Sequence, residues 1–215
     1  MKDLLLFVIT ICVGLFLMVG YITFIKKSQV LPVPNLQTIF RSSSFSLEKA
    51  PSESLIGKIT GMNGDVLWQS RTATDSSKLT SLIDIQQGES LTTNEKGSAT
   101  VVFDKNLEID IGEKSVVEFA QTLPANIVLV QSSGAVEYKK VGVVPVSIRV
   151  LHLLIEDGGD ILISVDEQKP IATAMVISGS AIFSYNDINN VTSVTTVPAG
   201  KKLIFNDDTR QVVAK

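Results

Sequence analysis

"GSATVVFDKNLEIDIGEKSVVEF", residues 97 to 119, alternates apolar and polar residues with two interruptions, at Asp104-Lys105-Asn106 and at Gly112. Side chains of a strand point alternately to its two faces, so Leu107, Ile109 and Ile111 share one side while Glu108 and Asp110 share the other. The first interruption is a turn signal between two alternating runs, which makes the stretch a β-hairpin with one apolar face. The same geometry decides how its carboxylates are read. A catalytic pair needs opposing walls of a cleft and surroundings that push its two pKa values apart. Glu108 and Asp110 on one strand face are instead a solvated surface.

Outward from this hairpin the same period recurs. "KITG", "DVLWQ", "NIVLV", "AVEY", "VSIRVLHLLI", "DILISV", "ATAMVI", "SAIFSY", "VTSVTTV" and "KLIF" read as strands, and no apolar pattern of helical period runs beyond about two turns after residue 55. Turn signals separate them at 61–65, 132–134, 157–160, 186–190 and 206–208. The expected fold class is all-β: an elongated β-sandwich or β-solenoid of about a dozen short strands. A weak repeat supports stacked layers. A glycine leads a strand that ends in an aromatic at Gly64–Trp68, Gly134–Tyr138 and Gly179–Phe183, and a second glycine precedes a leucine at Gly88–Leu91 and Gly200–Leu203. Such glycines let the chain turn a corner with positive φ.

Before this domain the composition changes. Residues 1–3 are a short leader, and residues 4–25, "LLLFVITICVGLFLMVGYITFI", carry no charge over a length that matches the roughly 20 residues of a membrane-crossing helix. A cleaved signal would show a shorter apolar run and small residues before the cut, whereas "YITFIKKSQ" follows here. Residues 4–25 are therefore expected to be one transmembrane helix acting as an uncleaved signal anchor. Residues 26–54, rich in Ser and Pro, read as a tether, and residues 55–215 as the β domain. Cys12 is the only cysteine and lies in the apolar run, which leaves the β domain without disulfides or thiolate metal sites. The net charge of −3 and the lack of any basic cluster beyond Lys26-Lys27 and Lys201-Lys202 exclude nucleic acid as a partner.

The glycine-strand units in their order, "GKITGMNGDVLWQ", "IQQGESLTTNEKGSATVVFDKNLEIDIGEKSVVEF" and "VLVQSSGAVEY", resemble the FecR-like domain. "VSIRV", "GGDILISVDEQ", "AMVISGSAIF" and "VTTVPAGKKLIF" stand where that family has its later strands and corners, although Gly159-Asp160-Ile161 replaces a glycine-threonine-aromatic corner. The resemblance spans residues 55–205. It implies the outer domain of single-span regulators that carry signals across a bacterial inner membrane to a sigma factor. In those regulators a cytoplasmic arm of several dozen residues holds the sigma factor; here Met1, Lys2 and Asp3 precede the apolar run, so direct sigma-factor binding is not expected.

Remaining residues give little chemistry. His152, the sole histidine, lies within "RVLHLLI" and is read as a half-buried strand residue, with Arg149 of the same run pairing with Glu137 or Asp166 or left in solvent. No G-x-S-x-G motif offers a nucleophile and no glycine-rich loop leads into a helix. Asp157-Gly158-Gly159-Asp160 lacks the spacing of a calcium loop and is read as a hairpin turn. No catalytic residue, metal or cofactor is expected. Trp68, the only tryptophan, is the one candidate ligand-binding residue, as a sugar-stacking platform; its other reading is a core residue.

The function expected is that of a membrane-anchored, extracytoplasmic, non-catalytic binding or sensing module for an envelope polymer, such as a polysaccharide, or for an envelope protein. A structural subunit that self-associates through exposed strand edges is the alternative, and a glycan-active enzyme ranks below both. Orientation draws on opposed signals. Lys26, Lys27 and Arg41 outweigh Lys2 and the terminal amine, which favours a cytoplasmic domain, while a three-residue leader and the FecR resemblance favour export.

Overall fold

The computed structural model describes residues 49–166 and 168–214. The leader at 1–3, the expected helix at 4–25 and the tether up to residue 48 lie outside the described residues. Among those described, no helix is long and apolar enough to cross a membrane. All regular structure of the described residues is strand, in 17 elements joined into one open sheet folded into two layers. The expectation of about a dozen strands falls short because several corners carry two- to four-residue strands that alternation cannot reveal.

One layer runs, in spatial order, β4 (Asp84–Ile85), β1 (Gly57–Asn63), β6 (Ser98–Phe103), β7 (Leu107–Ile111), β9 (Asn126–Lys140), β12 (Asp160–Val165), β13 (Ile171–Val176), β16 (Lys202–Asn206) and β17 (Gln211–Ala214). The other runs β3 (Ser77–Lys78), β2 (Val66–Gln69), β5 (Ser90–Thr93), β8 (Val116–Leu123), β9 again, β10 (Val146–Val150), β11 (Leu153–Asp157), β14 (Ser180–Asn186) and β15 (Thr192–Pro198). Only β9 belongs to both. Its first half pairs with β8 and β10, its second half with β7 and β12, and the change of layer falls at Gly134. The β9–β10 pair is parallel and every other described pair is antiparallel.

The opening stretch forms the β6–β7 hairpin, with Phe103 opposite Leu107, Val101 opposite Ile109 and Ala99 opposite Ile111. These six side chains are buried, and Asp104 takes φ 48° at the turn. The layers meet face to face over one core, in which Phe103 of one layer lies 5.7 Å from Phe119 of the other and Phe205 lies 5.1 Å from Tyr185. Apolar alternation on each strand therefore fills a single interior, the arrangement of a sandwich.

The five glycines of the repeat are the five described glycines with positive φ: Gly64, Gly88, Gly134, Gly179 and Gly200. Each stands where the chain passes from one layer to the other. At Gly134 a side chain is doubly excluded, because φ is 79° and a Cβ would lie 2.1 Å from Ser115 Oγ and 2.5 Å from Ser115 Cα. Buried Gln131 locks this crossing. It donates to the carbonyls of Gly134 at 3.0 Å and Ile163 at 3.2 Å and accepts from the Tyr138 hydroxyl at 3.1 Å, leaving none of these buried groups orphaned. Burial pushes the Tyr138 phenol far up from its ordinary pKa, so it stays the donor.

Candidate functional site

Trp68 lies on β2, a strand of four residues that starts two positions after the Gly64 corner. Val66 on the same strand is fully buried, and period 2 aims Trp68 to the same interior side. It packs against the core but stays half-buried, because β2 lies next to the outermost strand of its layer. Its Nε1–H is the one buried side-chain polar atom among the described residues without a hydrogen-bond partner. Trp68 is thus a core-packed residue that also lines a surface cleft of about 480 Å3.

The cleft wall is polar and tied down. Arg71 donates from Nε to the Gln87 carbonyl at 3.0 Å, from Nη2 to the same carbonyl, and from Nη1 to the Lys49 carbonyl. Gln87 Oε1 accepts from the Thr122 N–H and from the Ser54 hydroxyl, each at 3.1 Å. Glu89, only 8% exposed, accepts the Gln86 N–H at 2.8 Å. An indole flank beside a guanidinium and the carboxyls of Asp84 and Glu89 matches a hydroxyl-rich ligand, which needs one flat apolar surface and several polar contacts. A larger groove of about 550 Å3 crosses the outer face of the other half at Asn126, Ser147, Glu156 and Ile182, and it offers no aromatic platform.

The carboxylates of the opening hairpin do face outward, but they are not left to solvent alone. Lys139 of β9 contacts Glu108 Oε1 at 3.0 Å and Asp110 Oδ2 at 2.5 Å, and the Thr100 hydroxyl donates to Asp110 Oδ1 at 2.7 Å. Partial burial works against the Asp110 charge, yet the hydrogen bonds from Lys139 and Thr100 outweigh it and hold the carboxyl below its ordinary pKa. The hydrogen bonds that Lys139 donates, to Asp110 first and Glu108 second, raise it well above the usual lysine value. Two carboxylates sharing one ammonium on one face cannot flank a scissile bond from opposite sides.

Two readings are corrected and one alternative is decided. His152 is not mid-strand. "RVLHLLI" breaks into β10 and β11 around a two-residue turn, Leu151-His152, where Leu151 takes φ 55° and the histidine side chain is 54% exposed. What holds this turn comes from the other layer: Asp207 accepts from the His152 backbone N–H at 3.0 Å and from Nδ1 at 2.9 Å. Arg210 donates to Nε2 at 3.0 Å, which occupies the nitrogen a nucleophile would need. Arg149 is exposed between Val130 and Leu154, the solvent alternative, because Glu137 and Asp166 belong to the opposite layer's segments. Gly158-Gly159 is not a hairpin turn either, since β11 and β12 lie in different layers. There a Cβ on Gly158 would lie 2.3 Å from the Ser180 carbonyl oxygen and one on Gly159 2.1 Å from that of Ser178, while Asp160 accepts the Ser178 hydroxyl at 2.8 Å. Among the described residues no three of His, Cys, Asp and Glu gather as a metal site.

Sequence reasoning missed Arg71 and Glu89. The one available signal was their flanking of Trp68 and of the Gly88 corner, since the contacts that hold them join segments far apart in the chain.

No family model matches the sequence, and no curated protein matches it. Two crystal structures of a protein from Parabacteroides distasonis, described as a "putative anti-sigma factor", are similar to this chain, each with 11% sequence identity and a TM-score of 0.51. The likeness covers 59% of this chain and 58% of that one, so the chain spans less than two thirds of the protein it resembles. At that identity the similarity is one of fold.

Proposed function

We propose that this chain is a single-span, membrane-anchored protein whose β-sandwich acts outside the cytoplasmic membrane as a non-catalytic binding or sensing module of FecR type. The observation that carries the reading is the two-layer sandwich turned by the repeat's glycines, a fold similar over 59% of the chain to a protein described as a "putative anti-sigma factor". The uncharged run at 4–25 supplies the anchor and residues 26–54 the reach. Regulation is the role that the similar protein's description suggests for such a domain. The Trp68 cleft is assigned as the ligand site, with Arg71, Asp84 and Glu89 as polar partners of a hydroxyl-rich envelope polymer.

Open-ended assembly as a scaffold is favoured less, because a head-to-tail polymer needs a usable edge at both ends of the sandwich. β3 and β4 offer two residues each.

Trp68 is the sole tryptophan and reports on its own cleft. Titration with soluble muropeptides or an envelope polysaccharide should give a saturable change in tryptophan emission. Unchanged emission with both probes contradicts the cleft as the binding site.

A further inference from the structure

Of the four edges, β15 differs from the rest. β3 and β4 are two residues long, and β17 has four residues beginning directly after Asp207-Asp208-Thr209-Arg210. β15 has seven residues, has β14 as its one strand partner among the described residues, and lies in a stretch from Ile188 to Gly200 that contains no charge. Long edge strands are ordinarily blunted by lysines, inward charges or bulges. Here only Pro198, at the strand's end, serves that purpose.

The direction of the free backbone groups follows from the register. Ala199 N–H donates to the Gly179 carbonyl and Asp187 N–H to the Val191 carbonyl, both at 3.0 Å, and the pairing of β14 with β15 continues between them without a shift. Antiparallel ladders alternate, so Ser193, Thr195 and Val197 exchange hydrogen bonds with β14. Thr192, Val194 and Thr196 then turn their N–H and C=O toward the open edge, and Val194 is 64% exposed.

The sequence of this edge reads nearly the same in both directions. Around Val194, "VTSVTTV" (191–197) places Val191 against Val197, Thr192 against Thr196 and Ser193 against Thr195 when the strand is laid antiparallel on itself. Val194 then meets its own copy. Because Val194 is one of the residues with free backbone groups, that self-pair is a hydrogen-bonded one, and Thr192–Thr196 pairs extend the ladder on either side. A two-fold axis makes such a patch self-complementary, and valine on valine with threonine on threonine are favourable cross-strand neighbours.

We propose that β15 pairs antiparallel with β15 of a second copy of this chain, across a two-fold axis at Val194, to form a closed homodimer. Ile182, itself partly exposed on β14, lies diagonal to Val194 on the outer face and extends the apolar stripe across the axis. A seven-residue ladder is a small interface, so the dimer has the modest affinity of transient complexes. The dimer is independent of what the Trp68 cleft binds and of which side of the membrane holds the sandwich.

The test uses the full chain in detergent micelles. Its protein mass by light scattering should double with rising concentration. Val194→Lys places two ammonium groups side by side at the axis and should weaken the dimer by about tenfold or more, with circular dichroism unchanged because Val194 is exposed in the monomer. In a Cys12→Ala background, Val194→Cys should oxidise to a disulfide-linked dimer, since hydrogen-bonded partners lie about 5.5 Å apart at Cα, within disulfide reach. Val213→Cys, exposed on β17, should not. A chain monomeric throughout, a dimer unaffected by Val194→Lys, or cross-linking at 213 in place of 194 each overturns the proposal.

Discussion

The corners at Gly134 and Gly64 share a motif and differ in fate. In each, a glycine with positive φ is followed two residues on by a buried valine and four residues on by an aromatic aimed into the sandwich. At the centre, Tyr138 is fully covered and its hydroxyl reaches Gln131. Near the end of the stack, Trp68 is half-covered and its N–H reaches nothing. The local sequence aims the ring, while the length of strand beyond it decides whether the ring closes a core or walls a cleft. Phe183, on β14, has one strand beyond it as Trp68 does, but that strand is the seven-residue β15 rather than the two-residue β3, and Phe183 is fully buried.

The comparison breaks first at its glycines. Gly134→Ala should cost about 3–5 kcal/mol, combining left-handed strain with a Cβ forced into Ser115. Gly200→Ala has φ 76° but nothing within 4 Å of the new Cβ, and should cost only the strain, about 1–2 kcal/mol. Urea unfolding of both variants checks the difference; equal losses would mean that close approach adds nothing at the central crossing.

The aromatics sharpen it. Tyr138→Phe leaves a buried acceptor on Gln131 unpaired and should cost about 1–2 kcal/mol. Trp68→Phe removes a donor that already has no partner, so the relief offsets part of the lost contact and the change should stay within about 1 kcal/mol. A Trp68 variant that loses more than the Tyr138 variant in the same denaturation series contradicts the contrast between end and centre.

The smallest effect is expected at the outer face. Replacing Glu108 and Asp110 together by Ser should shift stability by under about 1 kcal/mol, since Lys139 and both carboxylates are each more than a third exposed and screened by solvent. Its pH dependence has a definite sign. The lowered Asp110 pKa contributes stability above the ordinary carboxylate range that is lost as pH falls through the depressed folded value, and the raised Lys139 pKa contributes stability below the ordinary lysine range that is lost as pH rises through the elevated one. Thermal melts across acid pH should therefore show a shallower decline in the double variant than in the wild type.

Much of this is legible in the sequence. The β6–β7 hairpin, its buried face and the turn at Asp104 follow from alternation and turn residues, and the repeat's glycines mark some of the layer changes. What stayed hidden is what depends on distant partners. Leu151-His152 contains none of the usual turn residues, and the hairpin there relies on Asp207, which lies 55 residues away in sequence. β9 reads as two strands, "NIVLV" and "AVEY", because nothing local says that one strand continues through the crossing. The link from Lys139 to Glu108 and Asp110 likewise appears only once β7 and β9 are neighbours.

Placement outside the cytoplasmic membrane is the claim on which the sensing role rests. A fusion of alkaline phosphatase, active only after export, at Lys215 tests it most directly. An active fusion is the result expected of an anchor at 4–25 followed by an exported sandwich. An inactive phosphatase together with a fluorescent cytoplasmic reporter at the same position would contradict it.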